Sequence, residues 1–321
     1  ALALGAFDMR PAAGQSLEVT VADGKMADHS AGHISTEEGS RLIEDLQAAI
    51  DDERMAFHTG VSYRHLLVFK GMDFDVRTSP PHDHIGTPVE KLLPRGKGAD
   101  LLIGLMNRSQ QLFAGHDINR IRQDLGENQV SSIWLWGQGK TPTMESYASK
   151  FGLSGAVVSA VDLVRGIGVL AGLEVLKVPG ATGWIDTNYE GKIGAALDAL
   201  GRHDFVYVHV EAPDEAAHQG SVDLKIQAIE AFDQRIVAPA LDYLDRQPDC
   251  RILVAPDHFT TIQTKTHAGG PAPFAVCGAG VPVNGLRAYS EYEAAKAGIV
   301  LREGYRLTQR FLTQKDMDFA P

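Results

Sequence analysis

The sequence has few cysteines, an excess of acidic over basic residues and no long apolar run. Cys250 and Cys277 are the 2 cysteines and are far apart, which predicts reduced core thiols and disfavours a disulfide or a zinc site. No segment approaches the roughly 20 apolar residues that span a bilayer, so no membrane partner is expected. Lys+Arg 30 against Asp+Glu 41 gives a net charge of −11, which disfavours nucleic-acid binding but leaves room for a local basic pocket.

The 321 residues are enough for two domains, and the apolar share of 44% and charged share of 22% are typical of a globular protein. The pattern predicts a smaller α/β domain over residues 1–127 and a larger one over residues 128–321. In the first, residues 17–21 alternate as a strand before the turn signal Asp23-Gly24. Ser35 begins a predicted helix, and residues 99–113 form another.

From Ser132 onward the pattern is typical of a βαβ sheet. Apolar runs at residues 133–136, 155–160 and 173–178 are each followed by glycine-rich or polar turns, and helical patterns cover residues 189–202 and 222–246. Strands separated by helix-length segments predict a mainly parallel sheet flanked by helices.

Polar residues of one chemical type follow the last apolar runs. Asp214 and His218 come after the run at residues 204–210, Asp257 and His258 follow residues 251–256, and His267 precedes a Gly/Pro-rich turn. The carboxyl ends of strands in open α/β folds meet at one edge of the sheet, where ligands bind. The sequence therefore predicts that these carboxylates and imidazoles converge on a divalent metal centre.

Each signal by itself has a simpler interpretation. An Asp-x-x-x-His pair is more often solvent-facing, and a single histidine such as His267 is more often a loop residue. Together they supply oxygen and nitrogen ligands without thiolate, which suits manganese, zinc, cobalt or magnesium and not a structural cysteine site.

These residues resemble the cofactor-independent phosphoglycerate mutases of the archaeal type, in the alkaline phosphatase superfamily. The similarity covers nearly the whole chain. Its motifs are residues 30–38 (SAGHISTEE), 60–67 (GVSYRHLL), 80–83 (PPHD), 133–139 (IWLWGQG), 159–163 (SAVDL), 179–183 (PGATG), 187–192 (TNYEGK) and 210–215 (VEAPDE).

The resemblance implies a cytoplasmic glycolytic isomerase with two divalent metal ions, most commonly manganese, and no 2,3-bisphosphoglycerate. Asp214, His218 and His267 would hold one metal, and Asp257 and His258 the other. A serine would carry the phosphoryl group between the two hydroxyls of glycerate. The residues implied to surround this small phosphorylated substrate are His33, Arg64, His65, His82, Asp83 and Arg165.

The resemblance also implies a strand ending in Asp-Gly and a nucleophilic serine that would precede the motif matched by residues 1–6. We therefore expect no mutase turnover from residues 1–321 alone. Two other interpretations remain at this stage: a related phosphotransferase such as homoserine kinase, and a non-catalytic remnant that binds metal or phosphate. The oligomeric state is left open.

Overall fold

The structure, a computed structural model, describes residues 13–32, 34–140, 142–314 and 317, with only the backbone for residues 13–19 and 82. The chain divides into two compact units, Ala1–Thr143 and Met144–Pro321. The predicted residue His33 and the motif at residues 1–6 lie outside the described residues.

The first unit contains one five-stranded antiparallel sheet in the order β2-β1-β4-β3, with β7 pairing the other edge of β1. A separate hairpin joins β5 to β6, and single turns of 3₁₀ helix occur at Pro81–His84 and Val89–Lys91. The elements are β1 (Ala13–Ala22), β2 (Lys25–Asp28), α1 (Thr36–Ala49), β3 (Met55–His58), β4 (Arg64–Phe69), β5 (Asp75–Arg77), β6 (Arg95–Lys97), α2 (Ala99–Phe113), α3 (Asp117–Asp124) and β7 (Ser132–Gly139).

Local sequence signals account for these elements. Ser35 caps α1, because its hydroxyl accepts from the Glu38 backbone N–H while the Glu38 carboxylate accepts from the Ser35 backbone N–H. Leu42, Ile43 and Leu46 share the buried face of α1 and join one core with α2 and the sheet. The predicted helices at Ser35 and at Ala99–Phe113 are confirmed.

The placement of residues 133–136 in the parallel sheet was wrong. These residues lie in β7, which runs antiparallel to β1 with Trp134 opposite Leu17. A short apolar run predicts a buried strand but carries no information about which strand it pairs with. Because β7 belongs to the first unit, the observed division lies at Thr143, beyond the expected position after residue 127.

The second unit has a three-stranded parallel sheet in the order β10-β8-β9, together with two antiparallel pairs, β11-β14 and β12-β13. A π-helical turn at Asp233–Val237 joins α8 to α9. The elements are α4 (Tyr147–Phe151), β8 (Gly155–Val158), α5 (Asp162–Leu170), β9 (Glu174–Leu176), α6 (Tyr189–Ala199), β10 (Phe205–Val208), α7 (Ala212–His218), α8 (Val222–Phe232), α9 (Ala238–Arg246), β11 (Arg251–Val254), β12 (Phe259–Thr261), β13 (Thr266–Ala268), β14 (Ala275–Gly278), α10 (Glu291–Lys296) and α11 (Arg306–Thr313).

The predicted α/β class and the helical stretches at residues 189–202 and 222–246 are confirmed. The central strand β8 is buried along its full length, since it has a parallel neighbour on each side and a core beneath it that includes Leu176 and Ala196. None of the helices in the described part of the chain has the length and apolarity needed to cross a membrane.

Candidate metal centre

The helix α7 places Asp214 and His218 on one face. It begins shortly after β10 ends, Pro213 lies in its first turn, and the two polar residues are four positions apart. The His218 Nε2 lies 3.1 Å from Asp214 Oδ2. A carboxylate and an imidazole are thereby presented together at the carboxyl end of a parallel strand.

A hairpin supplies the other predicted ligands. Asp257 and His258 lie between β11 and β12, while His267 is the middle residue of β13. The β12-β13 register sets Thr260 opposite His267. The residues just before β12 therefore lie beside the end of β13.

The five predicted ligands lie together in the second unit. His267 Nε2 is 3.2 Å from His218 Nε2 and 3.6 Å from Asp214 Oδ1. The ring centroids of His258 and His267 are 3.9 Å apart, and His258 Nε2 is 3.3 Å from Asp257 Oδ2. Candidate ligand atoms of Asp214, His258 and His267 all fall within 4.8 Å of one another.

The orientation of His218 favours cation binding. Its Nδ1 lies 2.9 Å from the backbone carbonyl of Lys265, and a carbonyl only accepts, so Nδ1 carries a proton and Nε2 is the ring nitrogen that faces the Asp214 carboxylate and would face a bound cation. Lys265 has a left-handed backbone with φ of 55° at the hairpin turn, which directs that carbonyl towards His218.

The spacing of the two imidazoles fits a shared ion. Two nitrogens bound at about 2.0–2.1 Å to one tetrahedral cation lie about 3.3 Å apart. The observed separation of 3.2 Å between the Nε2 atoms of His218 and His267 matches that value. Since Asp214 flanks both nitrogens, the three side chains offer carboxylate and imidazole donors at a spacing that would suit a divalent cation.

The residues implied to bind substrate are distributed over both units. In the first, Arg64 is exposed and its guanidinium lies 4.5 Å from the centre of the Tyr63 ring, Asp83 is exposed in the turn Pro81–His84, and only the backbone of His82 is described. In the second, Arg165 on α5 is partly exposed and pairs with Asp162 at 3.2 Å.

His65 differs from the other residues of this group because its side chain is buried. It lies on β4 with 3% of its surface exposed, and its Nδ1 accepts from the Gly60 backbone N–H. Burial lowers the pKa of His65 to about 4, since the imidazolium would lose its hydration. In this conformation His65 is a neutral core residue.

This burial predicts an acid-sensitive first unit. Below pH 6.5 the unfolded chain protonates His65 while the folded chain does not, so stability falls as pH drops from about 6.5 to about 4, by at most about 3 kcal/mol. We expect H65Q to remove this part of the pH dependence in urea unfolding. The same change at the exposed His58 on β3 is the control, and an unchanged profile for H65Q would contradict the assignment.

Comparisons with known proteins identify the family. Residues 9–300 match the model of the Metalloenzyme superfamily. The chain is 50% identical over 288 residues to a probable 2,3-bisphosphoglycerate-independent phosphoglycerate mutase of Geobacter sulfurreducens, covering 89% of this chain and 72% of that protein. It is 49% identical over 287 residues to the mutase of Methanothrix thermoacetophila, with coverage of 89% and 72%. This chain belongs to the 2,3-bisphosphoglycerate-independent phosphoglycerate mutase family.

Solved structures support the fold. The chain is similar to the cofactor-independent phosphoglycerate mutase of Thermoplasma acidophilum, with a TM-score of 0.58, 24% identity and coverage of 90% of this chain and 73% of that one. A Pyrococcus horikoshii protein matches with a TM-score of 0.77 at 22% identity over 99% of this chain and 78% of that one. The family resemblance inferred from the motifs is confirmed, and membership in a metalloenzyme superfamily implies dependence on divalent metal.

Sequence reasoning missed several polar residues of this mutase-family chain. Lys192 on α6 is 1% exposed, and its ammonium donates to the carbonyls of Thr182 and His209 at 3.3 and 3.4 Å. Burial lowers the pKa of Lys192, an effect that the nearby Glu211 carboxylate opposes. These contacts tie the end of β10 to the loop before α6. Lys192 lies in the motif at residues 187–192, but the sequence alone does not reveal that its side chain is buried.

A second missed contact joins two strand ends of the parallel sheet. Ser159 follows β8 and its hydroxyl lies 3.1 Å from His209 Nδ1, just after β10. The Ser159 oxygen also accepts from the Val161 backbone N–H, and the hydroxyl lies 3.5 Å from the Val161 carbonyl. Burial lowers the pKa of His209 and favours the neutral ring.

Proposed function

We propose that this protein interconverts 2-phosphoglycerate and 3-phosphoglycerate through a phosphoserine intermediate, without 2,3-bisphosphoglycerate. The observation that carries the proposal is the convergence of Asp214, His218 and His267 beside Asp257 and His258. Carboxylates and imidazoles in this arrangement would hold divalent cations, and such cations offset the negative charge on the attacking and leaving oxygens of phosphoryl transfer. The relatives are named as 2,3-bisphosphoglycerate-independent phosphoglycerate mutases, which supports the same assignment.

We propose that the cluster holds two divalent cations, with manganese first by the family resemblance and zinc, cobalt or magnesium as alternatives that also suit mixed carboxylate and imidazole ligands. Asp214, His218 and His267 would hold one, and Asp257 with His258 would contribute to the other. When bound, such ions lower the pKa of a hydroxyl nucleophile and stabilise charge on oxygen. The chain's own contribution is orientation, since the Lys265 carbonyl keeps the proton of His218 on Nδ1.

We propose that cationic side chains recognise the substrate's anionic groups and that other polar side chains surround the substrate. Arg64 and Arg165 are the arginines assigned to the anionic groups, and His33, His65, His82 and Asp83 are the other residues assigned to surround the substrate. Arg165 is supported by its partial exposure, although a phosphate would compete with Asp162 for its guanidinium. His65 would need to leave its buried position to touch substrate.

A coupled assay tests the proposal. The protein as its gene encodes it, supplied with manganese, should convert 3-phosphoglycerate to 2-phosphoglycerate and lose activity with a chelator. ATP-dependent phosphorylation of homoserine in place of this reaction would overturn the assignment and favour the kinase. Metal binding without either reaction would favour a non-catalytic remnant. Residues 1–321 assayed alone test the expectation that this stretch has no turnover by itself.

We place the reaction in the cytoplasm, where glycolysis and gluconeogenesis operate. Cys250 and Cys277 are both free and partly buried, which fits a reducing compartment.

A further inference from the structure

The hydroxyl of Thr260 lies between the two predicted sets of metal ligands. Thr260 is the middle residue of β12 and is 7% exposed. Its Oγ1 is hydrogen-bonded to Asp214 Oδ1 and lies 3.2 Å from His258 Nδ1. Asp214 belongs to one predicted ligand set and His258 to the other, so one side chain contacts both.

The directions of these hydrogen bonds follow from the chemistry of the three groups. An ionised carboxylate only accepts, so the single proton of the Thr260 hydroxyl is donated to Asp214. The Thr260 oxygen must then accept from His258 Nδ1, which has to carry a proton. The Phe259 carbonyl, 3.3 Å from the same nitrogen, can only accept and requires the same tautomer.

This arrangement leaves the metal-facing atoms available. With a proton held on Nδ1, the His258 ring keeps Nε2, which lies 3.3 Å from Asp257 Oδ2, as the nitrogen that would face a cation. On the other side, the bond from Thr260 fixes the Asp214 carboxylate through Oδ1 while Oδ2 faces His218 at 3.1 Å. One hydroxyl therefore sets the rotation of a carboxylate and the tautomer of an imidazole.

We propose that Thr260 is a positioning residue that couples the two metal sites, through its hydroxyl bonds to Asp214 and His258. This inference rests on the proposed metal centre and names a residue that acts on it without binding the ion. Loss of the hydroxyl would free Asp214 to rotate and remove one of the two acceptors that hold His258 in the Nδ1–H form. A single substitution would then weaken metal binding by both ligand sets.

The test is calorimetric titration of the metal-free protein with manganese chloride. T260V keeps the shape of the side chain and removes the hydroxyl, whereas T260S keeps the hydroxyl and removes the methyl. We expect T260V to bind manganese about 10–100-fold more weakly, the usual cost of losing a hydrogen-bond partner of a metal ligand, and T260S to bind within about threefold of wild type. Thermal unfolding of each metal-free variant checks that the fold is retained.

T261V is the matched control, because Thr261 lies on the same strand and its hydroxyl contacts only Thr264 among the described residues. It should bind manganese as wild type does. Equal affinities for T260V and wild type would overturn the inference, as would an equal loss in T260S and T260V, which would assign the effect to packing. Wild-type protein that binds no manganese would instead refute the proposed metal centre.

A second readout needs no metal. Nitrogen–proton correlation spectra of the metal-free protein at about pH 8, above the ordinary histidine pKa, report which ring nitrogen is protonated. We expect His258 in the Nδ1–H form in wild type and T260S, and a mixture of both forms in T260V. A wild-type ring without a proton on Nδ1 would contradict the assignment.

Discussion

Replacing Asp214 by asparagine should weaken manganese binding by more than about 100-fold and abolish mutase turnover. Asp214 faces His218 through Oδ2 and His267 through Oδ1, and it accepts the Thr260 hydroxyl bond. Changes to residues that merely support a ligand cost about 10–100-fold in affinity, so loss of a charged ligand between two imidazoles should cost more. Calorimetric titration and the coupled assay measure the two effects.

The neighbouring Glu215 provides the control for this prediction. It lies on the same helix, is partly buried, and E215Q makes the same change of charge one residue away from the cluster. We expect E215Q to bind manganese within about threefold of wild type. Equal losses in D214N and E215Q would mean that net charge on α7, and not ligation by Asp214, controls metal affinity.

Replacing Arg122 by methionine should destabilise the protein by about 3–5 kcal/mol. The guanidinium of Arg122 is 3% exposed and pairs with Glu38 at 3.1 Å and Glu127 at 3.0 Å. It also donates to the carbonyls of Ala31 at 2.7 Å and Asn128 at 2.8 Å. Methionine fills the space but leaves buried acceptors and carboxylates without their donor, which is the costly outcome.

Arg122 stabilises the turn at residues 28–32, whose backbone is strained, through its hydrogen bond to the Ala31 carbonyl. Ala31 is fully buried and has a left-handed backbone with φ of 49°, followed by Gly32 at 70°. Asp28 accepts from the Gly32 and Ser30 backbone N–H groups and from the Asn128 side chain; despite partial burial, these bonds lower the pKa of Asp28 to about 2. The turn leads into His33, which the family resemblance assigns to substrate, so R122M should also raise KM.

The exposed Arg120 on the same helix is the comparison for R122M. Its side chain is 68% exposed and pairs with Asp117 on the helix surface. We expect R120M to change the free energy of unfolding in urea by less than about 0.5 kcal/mol. A similarly small effect for R122M would contradict the account of the Asp28–Gly32 turn.

Several parts of the fold could be predicted from the sequence because their signals are local. The Ser35 capping box, the apolar stripe of α1 and the turn at Asp23 and Gly24 each depend on neighbours within a few residues. The partner of β7 depends on residues more than a hundred positions away, and no local pattern encodes it. Strand existence was therefore predictable, whereas strand pairing was not.

The same distinction applies to the site. Asp214 and His218 could be placed on one face because a helix has a fixed period, and strand ends could be expected to meet at one edge of a sheet. Thr260 and Lys192 were not predicted as site residues because no spacing pattern in the sequence distinguishes them from other threonines and lysines. Their roles depend on burial and on partners such as Asp214 and His209, which only the folded chain brings into contact.

Anomalous scattering from crystals grown with manganese tests the central claim most directly. We predict a peak bonded to the Asp214 carboxylate and to Nε2 of His218 and His267, with a second peak beside Asp257 and His258. A cluster without anomalous signal, in crystals that hold manganese at other side chains, would contradict the claim that these residues form the metal centre.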